Sequence, residues 1–196
     1  VTGVSLFLLR HGETEANRAR RIQGQDDTPL IPEGHAATLA AADKLGGLRL
    51  DPARTATYCS PLPRAKHTLE RVRRHLGMNG AVRYDPRLME IHFGELTGRP
   101  VDEMLPRILR HKRDTRLAYP GGESGDELKA RVLDFVEGVM EAHPGWDVVV
   151  MTHFGVIETA VRHFFQVPLS EPVRPPHDAV HRIDLAPDRS PRLTVY

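Results

Sequence analysis

Two segments constrain the fold of this chain most: VSLFLL at residues 4–9 and DVVVM at residues 147–151, each a continuous run of aliphatic and branched residues without polar alternation. A strand of that kind is covered on both faces, so it needs helices on each side of a sheet and suits parallel neighbours. Helix-like segments supply them. Residues 32–45 (PEGHAATLAAADKL) place proline in the first turn and Gly46 just past the end, which are start and stop signals. Residues 55–59 read as a second strand, after which Ser60 is expected to cap a helix that has Pro61 at its first position and runs to Gly77. Residues 81–84 read as a short third strand, and residues 101–111 and 126–143 as helices. The second of these is apolar at Leu128, Val132, Phe135, Val136 and Val139, a spacing of three and four. Residues 156–165 follow as a helix, and residues 180–185 and 193–196 as closing strands beyond the proline-rich EPVRPP. Strands alternating with helices predict an α/β fold, a three-layer α/β/α sandwich with a mainly parallel central sheet.

The 196 residues contain no linker-like stretch and are read as one domain spanning residues 1–196. Lys and Arg total 27 against 26 Asp and Glu, a net charge of +1. That balance gives no global field for nucleic acid or a membrane surface, so any electrostatic function must be local. The single cysteine, Cys59, lies in an apolar strand; it excludes an internal disulfide and a multi-cysteine metal site, and is expected in the core. No segment approaches the roughly 18 apolar residues of a membrane span. The expectation is a cytoplasmic protein, with an assembly that a homodimer would satisfy.

The first apolar run ends in RHGET at residues 10–14. Arginine beside histidine at the carboxyl end of a strand, with glycine where the backbone can turn tightly, sets a fixed cation next to a nucleophilic imidazole. Imidazole nitrogen can accept a phosphoryl group covalently. Guanidinium presents a planar fork of donors matched to phosphate oxygens. The same succession of strand and polar cluster recurs at SPLPRAKHT (60–68), LMEIHFGELTG (88–98) and THFG (152–155). Ligands of open α/β sheets bind beyond the carboxyl ends of the strands, where helix N-termini point free N–H groups at anions. Arg10, His11, Arg64, Glu90 and His153 are therefore expected to meet at one sheet edge.

Four such motifs, in this order and spacing, make the chain similar to the histidine phosphatase superfamily, also called the phosphoglycerate mutase-like family, over nearly its whole length. The resemblance implies a phosphoglycerate mutase-like fold with His11 as phosphoryl acceptor, Arg10, Arg64 and His153 as the phosphate pocket, and Glu90 as proton donor. Asn17, Gln23 and Gly24 fall where similar proteins contact the phosphate or the rest of the substrate. The chemistry agrees, because phosphoryl transfer spreads charge over equatorial oxygens and is catalysed mainly by positioning and fixed positive charge. A leaving alkoxide also needs a proton, and Glu90 sits among the apolar Met89, Ile91 and Phe93.

The expected activity is that of a phosphoric monoester hydrolase of the histidine phosphatase type, independent of metals and cofactors, acting on a small phosphorylated metabolite through a phosphohistidine. A cofactor-dependent phosphoglycerate mutase and a non-catalytic phosphate-binding protein are the alternatives. Phe154 stands where relatives usually carry glycine, His67 where glutamine is frequent, and Leu96 with Thr97 where a Trp-Glu pair is frequent; the first should make the pocket narrower or more apolar. Arg107, Arg110, Lys112, Arg113 and Arg116 fit a helical lid-like insertion at about residues 91–125, whose cations would meet a second anionic group on the substrate. His177, Asp178 and His181 are not expected to bind metal, since an i, i+4 histidine pair entering a strand does not share one helical face.

Overall fold

The computed structural model describes residues 3–186 and 188–196. One six-stranded sheet runs through it: β1 (Val4–Arg10), β2 (Thr55–Cys59), β3 (Val82–Tyr84), β4 (Asp147–Thr152), β5 (Val180–Ala186) and β6 (Arg189–Val195), in spatial order β3-β2-β4-β1-β5-β6. The four strands from β3 to β1 are parallel, and β5 then pairs antiparallel with both β1 and β6. Leu6, Leu9, Val148, Val149, Val150 and Met151 are fully enclosed, as their unbroken apolar runs require.

The helices are α1 (Glu15–Arg18), α2 (Pro32–Gly47), α3 (Pro63–Leu76), α4 (Val101–Arg113), α5 (Gly125–Ala142) and α6 (Phe154–Phe165). On one face of the sheet Ala41, Ala42 and Leu45 of α2 and Leu69 and Val72 of α3 pack on Phe7, Leu9 and Met151. On the other, Val132, Phe135 and Val136 of α5 and Ile157 and Val161 of α6 pack on Leu6, Leu8 and Val150. Side chains alternate along each strand, so a single apolar run feeds both cores. A smaller cluster of Ile22, Leu96 and Tyr119, with Phe93, Val101 and Ile108 against it, lies away from the sheet beneath α4. Cys59 is buried within the second core.

Local boundaries follow their chemistry with two corrections. Ser124 and Glu127 form a capping box that starts α5, each side chain satisfying the other's backbone N–H. The helix after β2 begins two residues later than Ser60 and Pro61 suggest: Pro63 occupies its first turn, Leu62 precedes it, and no side chain caps it. Proline at the first helical position needs no N–H partner, so Pro63 sets the start, and the Ser60 hydroxyl is spent elsewhere. The last strand begins at Arg189 rather than Leu193, pairing across a tight reversal with β5.

Gly12 and Gly34 bring the turn after β1 against the first turn of α2. A Cβ on Gly12 would come within 2.6 Å of the Gly34 carbonyl oxygen, and one on Gly34 would overlap the Glu13 backbone. Backbone meets backbone there, with no flexible side chain to give way. Gly34→Ala should cost about 1–3 kcal/mol in denaturant unfolding, and a loss within experimental error would show that the two segments can separate freely.

Candidate active site

Sheet register places the site. Arg10 is the Cα partner of Thr152 across the β1–β4 ladder, so the next residues, His11 and His153, emerge side by side. The His11 N–H donates to the Thr152 carbonyl at 3.0 Å, and the two imidazoles stand 5.1 Å apart, centroid to centroid. His11 is only 3% exposed. Its Nδ1 lies 2.8 Å from the Gly12 carbonyl oxygen, which can only accept. The proton is therefore on Nδ1 and the lone pair on Nε2. Burial, together with Arg64 and Arg10, holds His11 well below the usual imidazole range. It is a neutral base whose unprotonated ring nitrogen, Nε2, faces the Arg64 guanidinium.

Arg64, in the first turn of α3, is the most enclosed charged side chain at 1% exposure. Its Nε donates toward His11 Nε2 at 3.2 Å, Nη2 to the Gly24 carbonyl at 2.6 Å and Nη1 to the Asp26 carbonyl at 2.7 Å. Asp27 completes the set, 3.3 Å from Nη1. The guanidinium thus clamps the 24–27 turn beside the nucleophile. Gly24 makes that turn with a φ of 55° under Phe93 and Ile91.

Arg10 donates from Nη1 to the Pro175 carbonyl at 3.0 Å, and its guanidinium lies 5.2 Å from the centre of the Phe154 ring. Burial pulls its pKa down to about 10, which leaves it charged at neutral pH. His153 bonds the Ser60 hydroxyl through Nε2 at 2.7 Å. That hydroxyl also accepts the Leu62 N–H; when it gives its own proton to Nε2, the imidazole proton sits on Nδ1. His153 Nδ1 and Arg10 Nε are buried donors without a protein partner among the described residues. Acceptor oxygens of a phosphate fit both.

Glu90 enters from the segment after β3. Its carboxylate accepts from the Gly155 N–H in the first turn of α6 and from the Ile91 N–H at 2.9 Å. A Cβ on Gly155 would overlap Glu90 Oε1, so the second residue of that helix must be glycine for the carboxylate to dock. Arg131 of α5 pins the same segment by donating to the carbonyls of Arg87, Met89 and Glu90.

Arg10, His11, Asn17, Gln23, Gly24, Arg64, Glu90 and Phe154 all line one cavity of about 1010 Å³, and His153, fully buried, stands beside His11 rather than on the cavity lining. Asn17 Oδ1 is taken by Thr14, leaving its amide N–H₂ for the cavity. Both ends of the Gln23 amide are engaged by Thr14 and Thr28, so it braces the turn. The basic segment corrects expectation. Arg107, Arg110, Arg113 and Arg116 are exposed and do not line the cavity; Lys112 does, but both Glu158 carboxylate oxygens hold it, at 2.9 and 2.7 Å.

His177 is the group that sequence reasoning passed over. Its Nδ1 donates to the His11 carbonyl, and its ring stands edge-on to His11 at 5.6 Å. Burial drops its pKa to about 4. The two prolines before it, which deliver it to the start of β5 beside β1, were the available signal. Arg131 and Glu158 were also missed, since lone charges in amphipathic helices read as solvated.

The sequence pattern of the histidine phosphatase superfamily (branch 1) matches residues 6–192. The chain belongs to that superfamily, whose members here are phosphatase- or mutase-type enzymes. It is 32% identical over 157 residues to the probable phosphoglycerate mutase GpmB of Serratia proteamaculans, covering 76% of this chain and 69% of that one. The solved structure of Bacillus stearothermophilus YhfR is 30% identical with a TM-score of 0.83, covering 98% of this chain and 96% of the other. A mycobacterial glucosyl-3-phosphoglycerate phosphatase, solved with VO3, is 25% identical with a TM-score of 0.80 over 100% and 98% of the two chains.

Buried neutral histidines set the acid stability. Above about pH 6.5 the rings are neutral folded and unfolded and contribute no pH dependence. Below it the unfolded chain takes up protons that His11, His153 and His177 refuse, His177 until about 4, so stability falls as pH drops. Denaturation midpoints should be lower at about pH 5 than at about pH 7.5, by on the order of a few kcal/mol. His177→Asn, which keeps a neutral N–H donor, should flatten that slope; equal stability at both pH values would refute the neutral assignment.

Proposed function

We propose that the protein is a phosphomonoesterase that works through a phosphohistidine and needs no metal. The observation that carries this reading is the state of His11: proton fixed on Nδ1, lone pair on Nε2, and two buried guanidinium groups beside it. In the first step Nε2 attacks phosphorus and the P–O bond to the alcohol breaks. Glu90, protonated, gives its proton to the leaving oxygen. In the second step water attacks the phosphohistidine, its proton passes to the Glu90 carboxylate, the N–P bond breaks, and inorganic phosphate leaves with His11 neutral again. Arg10, Arg64, Asn17 and the Nδ1–H of His153 stabilise the equatorial oxygens, and the two guanidinium charges do the work a metal cation does elsewhere.

Hydrolysis is favoured over return of the phosphoryl group to a bound product by the size of the cavity. At about 1010 Å³ it exceeds a three-carbon phosphate ester several-fold and leaves water a path to the phosphohistidine. The names of the relatives include both mutases and phosphatases. Release of inorganic phosphate, assayed beside interconversion of phosphoglycerates, separates the two.

His11→Ala should remove turnover by at least about 10⁴-fold while leaving the unfolding transition in place. A neutral quench with labelled substrate should leave label on the wild type and none on the variant. Comparable turnover without His11 would end the mechanism. Glu90→Gln should slow alkyl phosphates by about 10²–10³-fold but aryl phosphates, whose leaving oxygen scarcely needs a proton, by much less. Equal losses on both would take Glu90 out of the acid role.

A further inference from the structure

The outer part of the cavity has a charge balance and a surface that select the alcohol half of the substrate. Resting on the phosphomonoesterase reading above, we propose that the enzyme prefers phosphate esters of uncharged, ring-bearing apolar alcohols and discriminates against esters that carry a second anionic group.

Most of the cations that could meet such a group are already held by partners. Glu158, 8% exposed in α6, holds Lys112 of the facing helix α4 through both oxygens and Arg162 on its own helix at 2.9 Å. Arg162 spends its remaining donors on the carbonyls of Pro168 and Glu171. Arg20 is bound in a fork to Asp102. One buried carboxylate shared by two cations leaves the trio a net +1, but it holds the donors of both, and an incoming carboxylate would face Glu158 as a like charge. Lys129 and Arg174 line the cavity without an ion pair among the described residues, but both are exposed, where solvent screens them. Asp126 sits on the same wall as Lys129.

The surface that remains is apolar and flat. Phe93 and Tyr119 lie 4.9 Å apart, and the His111 ring stacks on Tyr119 at 4.1 Å with 27° between planes. All three line the cavity, along with Ile22 and Ile108, and their backs are fixed in the small cluster beneath α4. On the facing side Phe154 lies between Arg10 at 5.2 Å and Lys112 at 5.8 Å. A ring leaving His11 along this channel would exchange water for aromatic faces on both sides.

The test compares esters whose alcohols have similar basicity, so that proton transfer weighs equally: 2-phenylethyl phosphate against 3-phosphoglycerate, with phosphate release as the readout. For the wild-type protein kcat/KM should be at least about tenfold higher for 2-phenylethyl phosphate, mostly through KM. Glu158→Gln uncovers Lys112 and Arg162 and should move the ratio toward 3-phosphoglycerate by about fivefold or more. If that variant does not fold, Lys112→Met serves: it should leave the ratio within about twofold, whereas a cationic lid would lose 3-phosphoglycerate turnover by more than about tenfold. The pair Lys129→Glu and Arg174→Glu should also shift the ratio by less than about twofold. A wild-type preference for 3-phosphoglycerate, or a tenfold drop on it in the rim pair, overturns the substrate assignment while leaving the hydrolytic mechanism standing. Turnover of neither ester, with no label on His11 from either, overturns both.

Discussion

The site depends on one buried cation. Arg64 has left water almost completely, and a guanidinium in that position is tolerable only because the carbonyls of Gly24 and Asp26, the Asp27 carboxylate and the His11 lone pair each take a donor. Each of those partners is placed by a different part of the chain. The loop that follows α1 folds over Arg64 instead of over solvent, β1 delivers His11, and the first turn of α3 sets the guanidinium between them. The charge that costs most to bury also adds to the burial that keeps His11 from taking a proton. Structure and reactivity are thus the same interaction seen from two sides.

The frame around that cation was legible in the sequence for a physical reason. Unbroken apolar runs in β1 and β4 admit burial on both faces only, and parallel strands ending at one edge bring RHG and THF together whatever the loops do. Leu128, Val132, Phe135, Val136 and Val139 all proved buried because a period of three and four has one packed face. The family motifs identified Arg10, His11, Arg64, Glu90 and His153, and the structure gathers all five. Residues with strong local rules were read correctly.

Residues whose role is set by distant partners were not. Ser60 has the chemistry of a helix cap, but a cap is worth about 1 kcal/mol, while an unpaired ring nitrogen on buried His153 costs more; tertiary demand took the hydroxyl and Pro63 started the helix. In the sequence His177 is weighed only as a metal ligand and set aside, because spacing says nothing of the His11 carbonyl across the sheet. Arg131 resembled any solvent-facing cation on an amphipathic helix, although three carbonyls of the Glu90 segment hang on it. Long-range hydrogen bonds leave no periodic trace.

The basic segment shows the same limit in its energetic form. Five positive residues within ten positions suggest a field directed at an anion, yet a field belongs to the sum of charges. One buried carboxylate on another helix, Glu158, holds the single cation of that group which lines the cavity and shares its charge with Arg162. The others face solvent, where screening removes them from the substrate's reckoning. What then distinguishes the outer cavity is the aromatic wall and Phe154, whose ring lies between Arg10 and the ion-paired Lys112. Counterion placement leaves a segment that reads as cationic presenting a largely aromatic face to the cavity, and the substrate preference proposed above rests on that face, separately from the chemistry proposed at His11.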